Sequence, residues 1–201
     1  MNDVQTASKP LTARAQANRE KIYRAAVKLI GERGYDAITM SDIAEAAEVA
    51  RASVFNHFPV KIAFLAEWYA RFTHEILAVA REETSDSARV RLDFLYRALG
   101  AGAHANKPLI IHVASLAMGH GPLAATESEL DDALRLYFLE LITLGQATGE
   151  IRSELDADFL ADFFVGVLTV TAHDWVNRGQ VSDLYADLKR RFDTIFSGIE
   201  K

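Results

Sequence analysis

Residues 39–58 of the chain are TMSDIAEAAEVARASVFNHF, and this segment sets the kind of fold that we expect. Thr39 and Asp42 have the three-residue spacing of a helix-capping pair, so a short helix is predicted to begin there. After a break at residues 48–50, a second short helix is predicted over residues 51–58, and Pro59 cannot extend it because its ring removes a backbone donor. Two short helices joined by such a turn have the layout of a helix-turn-helix.

Outside this segment, apolar residues recur almost everywhere at helical spacing, and the strict alternation of a β-strand hardly appears. Further helices are predicted over about residues 12–33, 60–83, 88–104, 123–148, 156–178 and 182–199, and from near Pro108. Glycine, proline and asparagine mark breaks at residues 106–108, 119–122 and 149. A Thr126-x-x-Glu129 capping pattern is a candidate start for the helix near residue 123. We therefore expect an all-α fold of about nine helices.

The net charge of −6 is unevenly distributed along the chain. Residues 1–65 contain nine basic and seven acidic residues, whereas the remaining residues contain 13 basic and 21 acidic ones. Within residues 1–28 there are six basic residues against two acidic ones, which is the local positive charge that phosphate binding requires. The charge therefore excludes only a protein that binds nucleic acid over its whole surface. The simplest division is a module at residues 1–60 and a helical body at residues 61–201.

Composition narrows the other classes of function. The absence of cysteine excludes disulfides, thiolate metal sites and a cysteine nucleophile. Asp162 interrupts the richest apolar stretch, residues 159–170, so no run approaches the roughly 18 residues of a membrane span. The start, MNDVQTASKP, has no apolar signal-peptide core, so we expect a cytoplasmic protein with no membrane partner.

The sequence carries no motif that favours catalysis, a cofactor or a metal site. No G-x-S-x-G, H-E-x-x-H or P-loop pattern is present, so we predict no catalytic residues. Residues 100–105 fit G-x-G-x-x-A, but they end a helical pattern and do not follow a strand, which disfavours a dinucleotide site. His104, His112 and His120 are spaced by eight, and the helical path between them is interrupted, so isolated histidines are favoured over a metal site.

The helix-turn-helix and its flanks resemble a known family. The flanks are Gly34-Tyr35-Asp36-Ala37-Ile38-Thr39-Met40 and Phe58-Pro59-Val60-Lys61-Ile62-Ala63-Phe64-Leu65. Together they look like the DNA-binding domain of TetR-type (tetracycline-repressor-like) transcriptional regulators, over about residues 18–68. The resemblance implies an effector-responsive regulator, most simply a repressor, that is released from a double-stranded, pseudo-palindromic DNA operator by a small molecule. It also implies a homodimer through the last two helices, about 156–178 and 182–199.

Eight residues are candidates for DNA contact: Thr39, Arg51, Ala52, Ser53, Phe55, Asn56, His57 and Lys61. Thr39 begins a helix, where a hydroxyl and free backbone N–H groups suit a phosphate. Arg51 can pair with guanine, Ser53 can bond either base type, and Asn56 can read adenine or bind phosphate. By similarity to the family, Lys61 would clamp the DNA backbone.

The segment departs from the family pattern at three positions. Glu48 stands where a turn glycine is common, and a non-glycine residue held at positive φ costs about 1 kcal/mol. Ala50 replaces a usual capping serine, which forfeits roughly 0.5–2 kcal/mol. Phe55 replaces a frequent tyrosine and loses a hydroxyl that could bind phosphate. These departures keep open a protein-binding adaptor that has lost DNA binding. An enzyme that uses the helical cavity is the other alternative.

The helical body supplies aromatic and histidine side chains for an effector pocket, although aromatics at helical spacing also build cores. The pocket candidates are Trp68, Phe72, His74, Phe94, His112, Phe138, Phe164, His173 and Trp175, together with Tyr69, Tyr96 and Tyr137. In residues 159–170 the apolar positions spread beyond one helix stripe, so we expect one face to pack in its own domain and another to meet a second subunit.

Overall fold

The computed structural model describes residues 12–117, 123–179 and 182–200. The predicted all-α class is confirmed, since these residues form nine helices and only one isolated antiparallel bridge, between Ile151 and Glu200. The helices are α1 (Ala13–Arg33), α2 (Met40–Ala46), α3 (Arg51–His57), α4 (Ile62–Ala80), α5 (Ala88–Ala105), α6 (Lys107–Ala117), α7 (Ala124–Thr148), α8 (Ala157–Asn177) and α9 (Leu184–Ile199).

The chain divides into two compact units, Met1–Phe64 and Leu65–Lys201. The division lies inside the first turn of α4. It is four residues beyond residue 60, where the sequence analysis placed the end of the first module. The boundary falls between Phe64 and Leu65, within the continuous helix α4, so neither a turn nor a proline lies at the division.

In the first unit, local signals set where the helices start and stop. The Thr12 hydroxyl caps α1 by accepting from the Ala15 amide at 3.3 Å, and Gly34 follows the last turn with a φ of 85°. The buried stripe of α1 packs on the apolar faces of α2 and α3, whose central buried residues are Ile43 and Val54. This small core fixes the angle at which the second helix of the motif is presented.

The core of the second unit is built around aromatic rings from α5, α7, α8 and α9. Phe138 and Phe164 meet edge to face at 5.5 Å, and Phe164 meets Phe192 in the same way at 5.1 Å. Tyr96 of α5 stacks on Phe192 at 4.5 Å. Ring pairs in these geometries add to the free energy gained from burial, so these contacts help to hold the four helices together.

Several predicted boundaries shift in the structure. The helix predicted to run to residue 83 ends at Ala80, and α7 begins at Ala124, so the Thr126-x-x-Glu129 pattern lies inside the helix and caps nothing. The predicted break at residues 119–122, with His120, lies outside the described residues. Gly100 of the G-x-G pattern faces α9, where a Cβ atom would lie 2.8 Å from the Tyr185 Cβ. Close helix packing therefore accounts for this glycine.

Candidate DNA-binding surface and effector cavity

The start of α2 carries a complete capping box. The Asp42 amide donates to the Thr39 hydroxyl oxygen at 3.2 Å, and the Thr39 amide donates to the Asp42 carboxylate at 2.7 Å. The Thr39 hydroxyl also donates to that carboxylate at 2.7 Å, and these bonds hold the pKa of Asp42 below its usual value. Because the hydroxyl proton is engaged, the phosphate contact predicted at Thr39 would use the free backbone N–H groups of the first turn.

The turn between α2 and α3 has the two features expected from its sequence. Glu48 has a φ of 48°, the positive value that glycine adopts without strain. Ala50 precedes α3 in extended conformation and makes no side-chain capping bond. The Glu48 carboxylate instead lies 3.1 Å from the ammonium group of Lys21 on α1, in an exposed ion pair.

The third helix turns one face to the core and the other to solvent. Val54 is fully buried, whereas Arg51, Ala52, Phe55 and Asn56 are exposed. The Arg51 guanidinium lies over the Phe55 ring, 5.4 Å from its centre, in a cation–π contact. Phe55, which stands where the family often has tyrosine, thus packs against Arg51. These exposed residues lie on the surface that a recognition helix offers to a groove.

Ser53 and His57 lie between these two faces, and both are half-buried. The Ser53 hydroxyl accepts a hydrogen bond from the Asn18 side chain of α1 at 2.8 Å, which leaves its own proton to donate. His57 joins the first turns of α1 in lining a surface groove, whose other residues include Arg14, Asn18 and Lys21. Two basic side chains and a helix N-terminus make this groove suitable for a phosphate. The sequence indicated a basic first helix but did not single out Arg14 or Asn18.

Lys61 is engaged within the protein. Its ammonium group donates to the backbone oxygens of Tyr35 at 2.8 Å and Ile38 at 3.1 Å, and it lies 4.1 Å from the centre of the Tyr35 ring. These contacts tie the connection between α1 and α2 to the residues just before α4. They differ from the phosphate clamp that the family resemblance implied.

The second unit encloses a cavity of about 100 Å³ among α4 to α9. Most of its wall is apolar, with Ile76, Leu99, Val113 and Leu134 among the lining residues. The aromatic residues on the wall are Tyr69, Phe72 and Trp175. An apolar cavity with a few convergent polar groups is the usual form of a small-molecule site.

Besides the Tyr69 phenol, the ionisable groups of the wall are Glu127 and Asp131, one helical turn apart on α7, and His173 on α8. The Glu127 carboxylate lies 3.8 Å from His173 Nε2. Burial raises the pKa of Asp131 to about 6, with a further contribution from the negative charges of Glu127 and Asp132, while His173 acts in the opposite direction. Burial also raises the pKa of Glu127, and burial together with both acids raises that of Tyr69. The cavity thus holds incompletely compensated negative charge.

Four of the twelve body residues proposed from the sequence line this cavity: Tyr69, Phe72, His173 and Trp175. Phe138 and Phe164 lie in the aromatic core, Trp68 is buried with its ring 5.1 Å from that of Phe72, and His74 is exposed. Phe94, Tyr96, His112 and Tyr137 are not among the residues that line the cavity in the described part of the chain. Aromatic spacing marks buried faces, but it does not show which buried space stays empty.

Glu127 and Asp131 were not predicted from the sequence, although their spacing in α7 indicates that they face the core. Counting back from buried Leu134 by three and by seven reaches Asp131 and Glu127, so both acids continue the apolar seam of α7. Charged residues on the seam of a core-facing helix indicate either a buried ion pair or a ligand.

An exposed apolar stripe runs along α8. Phe159, Phe163 and Val170 are 67%, 46% and 54% exposed, and the two rings stack with centroids 6.5 Å apart. Beside them, Arg135 of α7 bonds to Asp158 and Asp162, at 2.6 Å each. By length and hydropathy alone, α8 is long and apolar enough to cross a membrane, contrary to the sequence expectation. Its apolar residues divide between this stripe and the core, which explains the high average.

Comparison with known proteins places the chain among bacterial regulators. Residues 22–67 match the family described as bacterial regulatory proteins, tetR family. The HTH-type transcriptional repressor DhaR of Mycobacterium sp. strain GP1 is 30% identical over 162 residues, which cover 73% of this chain and 76% of DhaR.

Solved structures share the fold at lower identity. The regulator FadR of Bacillus subtilis, in complex with stearoyl-CoA, is 24% identical with a TM-score of 0.70, over 90% of this chain and 99% of that one. A transcriptional regulator from Saccharomonospora viridis, in complex with choline, is 22% identical with a TM-score of 0.68, over 92% of this chain and 99% of that one.

Proposed function

The chain belongs to the tetR family of bacterial regulatory proteins, and on this premise we propose how its two units divide the work of an effector-responsive transcriptional repressor. The first unit binds operator DNA, and the second unit binds a small molecule and a second copy of the chain. As a regulator of transcription that binds DNA, the protein acts in the cytoplasm. The proposal includes no catalytic step.

The observation that carries the DNA-binding part is the exposed face of α3. Arg51 and Asn56 are the two exposed side chains with the hydrogen-bonding geometry for base edges, and Ala52 is small enough for close approach. We assign backbone contacts to the first turn of α2, to Ser53 and His57, and to the groove that includes Arg14 and Lys21. Phe55 positions Arg51 through their 5.4 Å contact.

The effector part rests on the cavity and on α4. Tyr69, Phe72, Thr73 and Ile76 of α4 line the cavity, and the same helix begins in the first unit at Ile62. A ligand that binds more tightly to one position of α4 would bias the DNA-binding unit by its difference in affinity for the two states. Relatives of known structure hold ligands as different as stearoyl-CoA and choline, so the choice of ligand depends on the cavity of each protein.

The dimer part rests on the stripe of α8. Two copies of α8 and α9 would form a four-helix bundle that buries Phe159, Phe163 and Val170, whose exposure is unusual for a soluble monomer. A two-fold dimer presents its two recognition helices about one turn of DNA apart, ~34–36 Å, and this spacing requires a pseudo-palindromic operator.

The proposal is tested by selecting operator sequences from genomic DNA with the full-length protein. We expect an enriched pseudo-palindromic site, steep loss of affinity with salt, and about 1–3 kcal/mol weaker binding by Arg51→Ala. Arg97→Ala is the matched control, because Arg97 is an exposed arginine of α5, outside the proposed dimer helices, and this variant should bind like the wild type. The absence of an enriched palindrome, or an Arg51→Ala protein that binds like the wild type, would overturn the proposal. Absence of any DNA binding at low salt would favour the adaptor.

A further inference from the structure

The cavity of the second unit combines aromatic faces with carboxylates. Tyr69, Phe72 and Trp175 contribute rings, and Glu127 and Asp131 contribute the two carboxylates from successive turns of α7. The Thr73 side chain, which is only 6% exposed, adds a hydroxyl to the same wall. Rings attract cations through their negative faces, so rings and carboxylates favour the same sign of ligand charge.

We propose that the effector is a small organic cation, a quaternary or protonated amine with an apolar body, whose positive group lies between Glu127 and Asp131 and the aromatic wall. This inference rests on the proposed function, because it names the class of ligand that the effector cavity takes. The apolar body of the ligand would lie against the side of the cavity formed by Ile76, Leu99 and Val113.

The charge of the wall supports a cation over an anion. No lysine or arginine is among the residues that line the cavity in the described ranges. The Lys107 ammonium group lies 5.8 Å from the centre of the Trp175 ring, and Lys107 is not itself among the lining residues. The Glu127 carboxylate lies 3.8 Å from His173 Nε2, beyond hydrogen-bonding distance, so an arriving cation would add to the compensation that His173 can give.

The size of the cavity limits the bound group. An apolar cavity of about 150 Å³ holds benzene, so about 100 Å³ suits a head group of a few heavy atoms. A long acyl chain would require the surrounding helices to separate. A trimethylammonium group is compact and has no hydrogen-bond requirement, and it therefore fits a wall made of rings, methyl groups and carboxylates.

Ionisation of the acids gives the inference a dependence on pH. The groups that face Asp131 are Tyr69 from α4, Glu127 and Asp132 from α7, and His173 from α8. Burial raises the pKa of Asp131 to about 6, so protonation below that pH removes one of the two charges that would hold the cation. We therefore expect the affinity for a cation to fall as the pH is lowered through about 6.

The experiment compares choline with 3,3-dimethylbutan-1-ol, its uncharged isostere, by titration calorimetry on the full-length protein. We expect choline to bind at least tenfold more tightly at neutral pH, and Asp131→Asn and Glu127→Gln each to reduce that preference by roughly tenfold or more. Glu129→Gln is the control, because Glu129 lies exposed on the same helix, and it should keep the preference.

Choline that binds no more tightly than its isostere, or a preference that survives both substitutions, would overturn the inference. Operator binding by the same proteins separates this failure from that of the proposed function. A protein that binds its operator but shows no preference for choline would contradict only the effector class. A protein that binds no operator would contradict the proposed function itself.

Discussion

The backbone of Glu48 has a φ of 48°, and its carboxylate lies 3.1 Å from the Lys21 ammonium group of α1. Replacing Glu48 by glycine should raise the free energy of unfolding by about 0.5–1 kcal/mol, because glycine adopts positive φ without a Cβ clash. The exposed ion pair with Lys21 contributes little to stability, so its loss should not cancel the gain. The free energy of unfolding is measured by urea denaturation of the full-length protein. Hydrogen exchange of the amides in α2 and α3 measures the local change.

Glu48→Ala separates the strain from the charge, because alanine keeps the unfavourable φ and removes the carboxylate. Both variants remove the ion-pair partner of Lys21, so both should bind operator more tightly. For each, the slope of log affinity against log salt concentration should correspond to about one more released counterion. Only the glycine variant should be more stable. Equal stability of the two variants would show that the turn stores no strain at Glu48.

At the scale of the element, Gly100 sets how closely α5 approaches α9. A Cβ atom at residue 100 would lie 2.8 Å from the Tyr185 Cβ and 3.1 Å from its backbone nitrogen, neither of which can rotate away. Tyr185 is also held by its hydroxyl, which donates to Asp93 of α5 at 2.9 Å. Gly100→Ala should therefore lower the free energy of unfolding by about 1–2 kcal/mol, after the gain in helix propensity is included.

Gly31→Ala is the control at this scale. Gly31 lies in α1, outside the proposed dimer helices, with open space where a Cβ would be, so alanine should stabilise by up to about 1 kcal/mol through helix propensity alone. Thermal unfolding of the two variants beside the wild type measures the difference. If the two substitutions shift stability in the same direction, close packing does not explain the glycine at residue 100.

At the scale of the whole molecule, the exposed stripe of α8 should decide the oligomeric state. Phe163→Glu places a charge where two copies would meet, so it should give a monomer by light scattering after size-exclusion chromatography. Loss of the second half-site contact should weaken operator binding by at least about 100-fold. The circular dichroism of the variant should remain helical, because Phe163 lies outside the core.

Val90→Glu makes the same change at an exposed apolar position of α5 and should leave both dimerisation and operator binding unaltered. A wild-type protein that is monomeric at the concentration of operator binding would contradict the proposed dimer. So would a Phe163→Glu protein that remains dimeric.

The sequence by itself determined what depends on neighbouring residues. The Thr39–Asp42 pair, the positive φ at Gly34 and the end of α3 before Pro59 involve interactions within a few positions, so residue order specifies them. The apolar period likewise determined nine helices within the described ranges and the surplus apolar surface of α8. The two helices of the helix-turn-helix are mostly local in this sense, and their bounds followed from the sequence.

Only the tertiary structure decided which distant groups meet. Lys61 donates to the backbone oxygens of Tyr35 and Ile38, which precede it by 26 and 23 positions. Glu127 of α7 approaches His173 of α8. A helical period shows which face is apolar, but it does not show which helix will cover that face or where the packing will leave space. For that reason Phe138 became core, while Asp131 became part of the cavity wall.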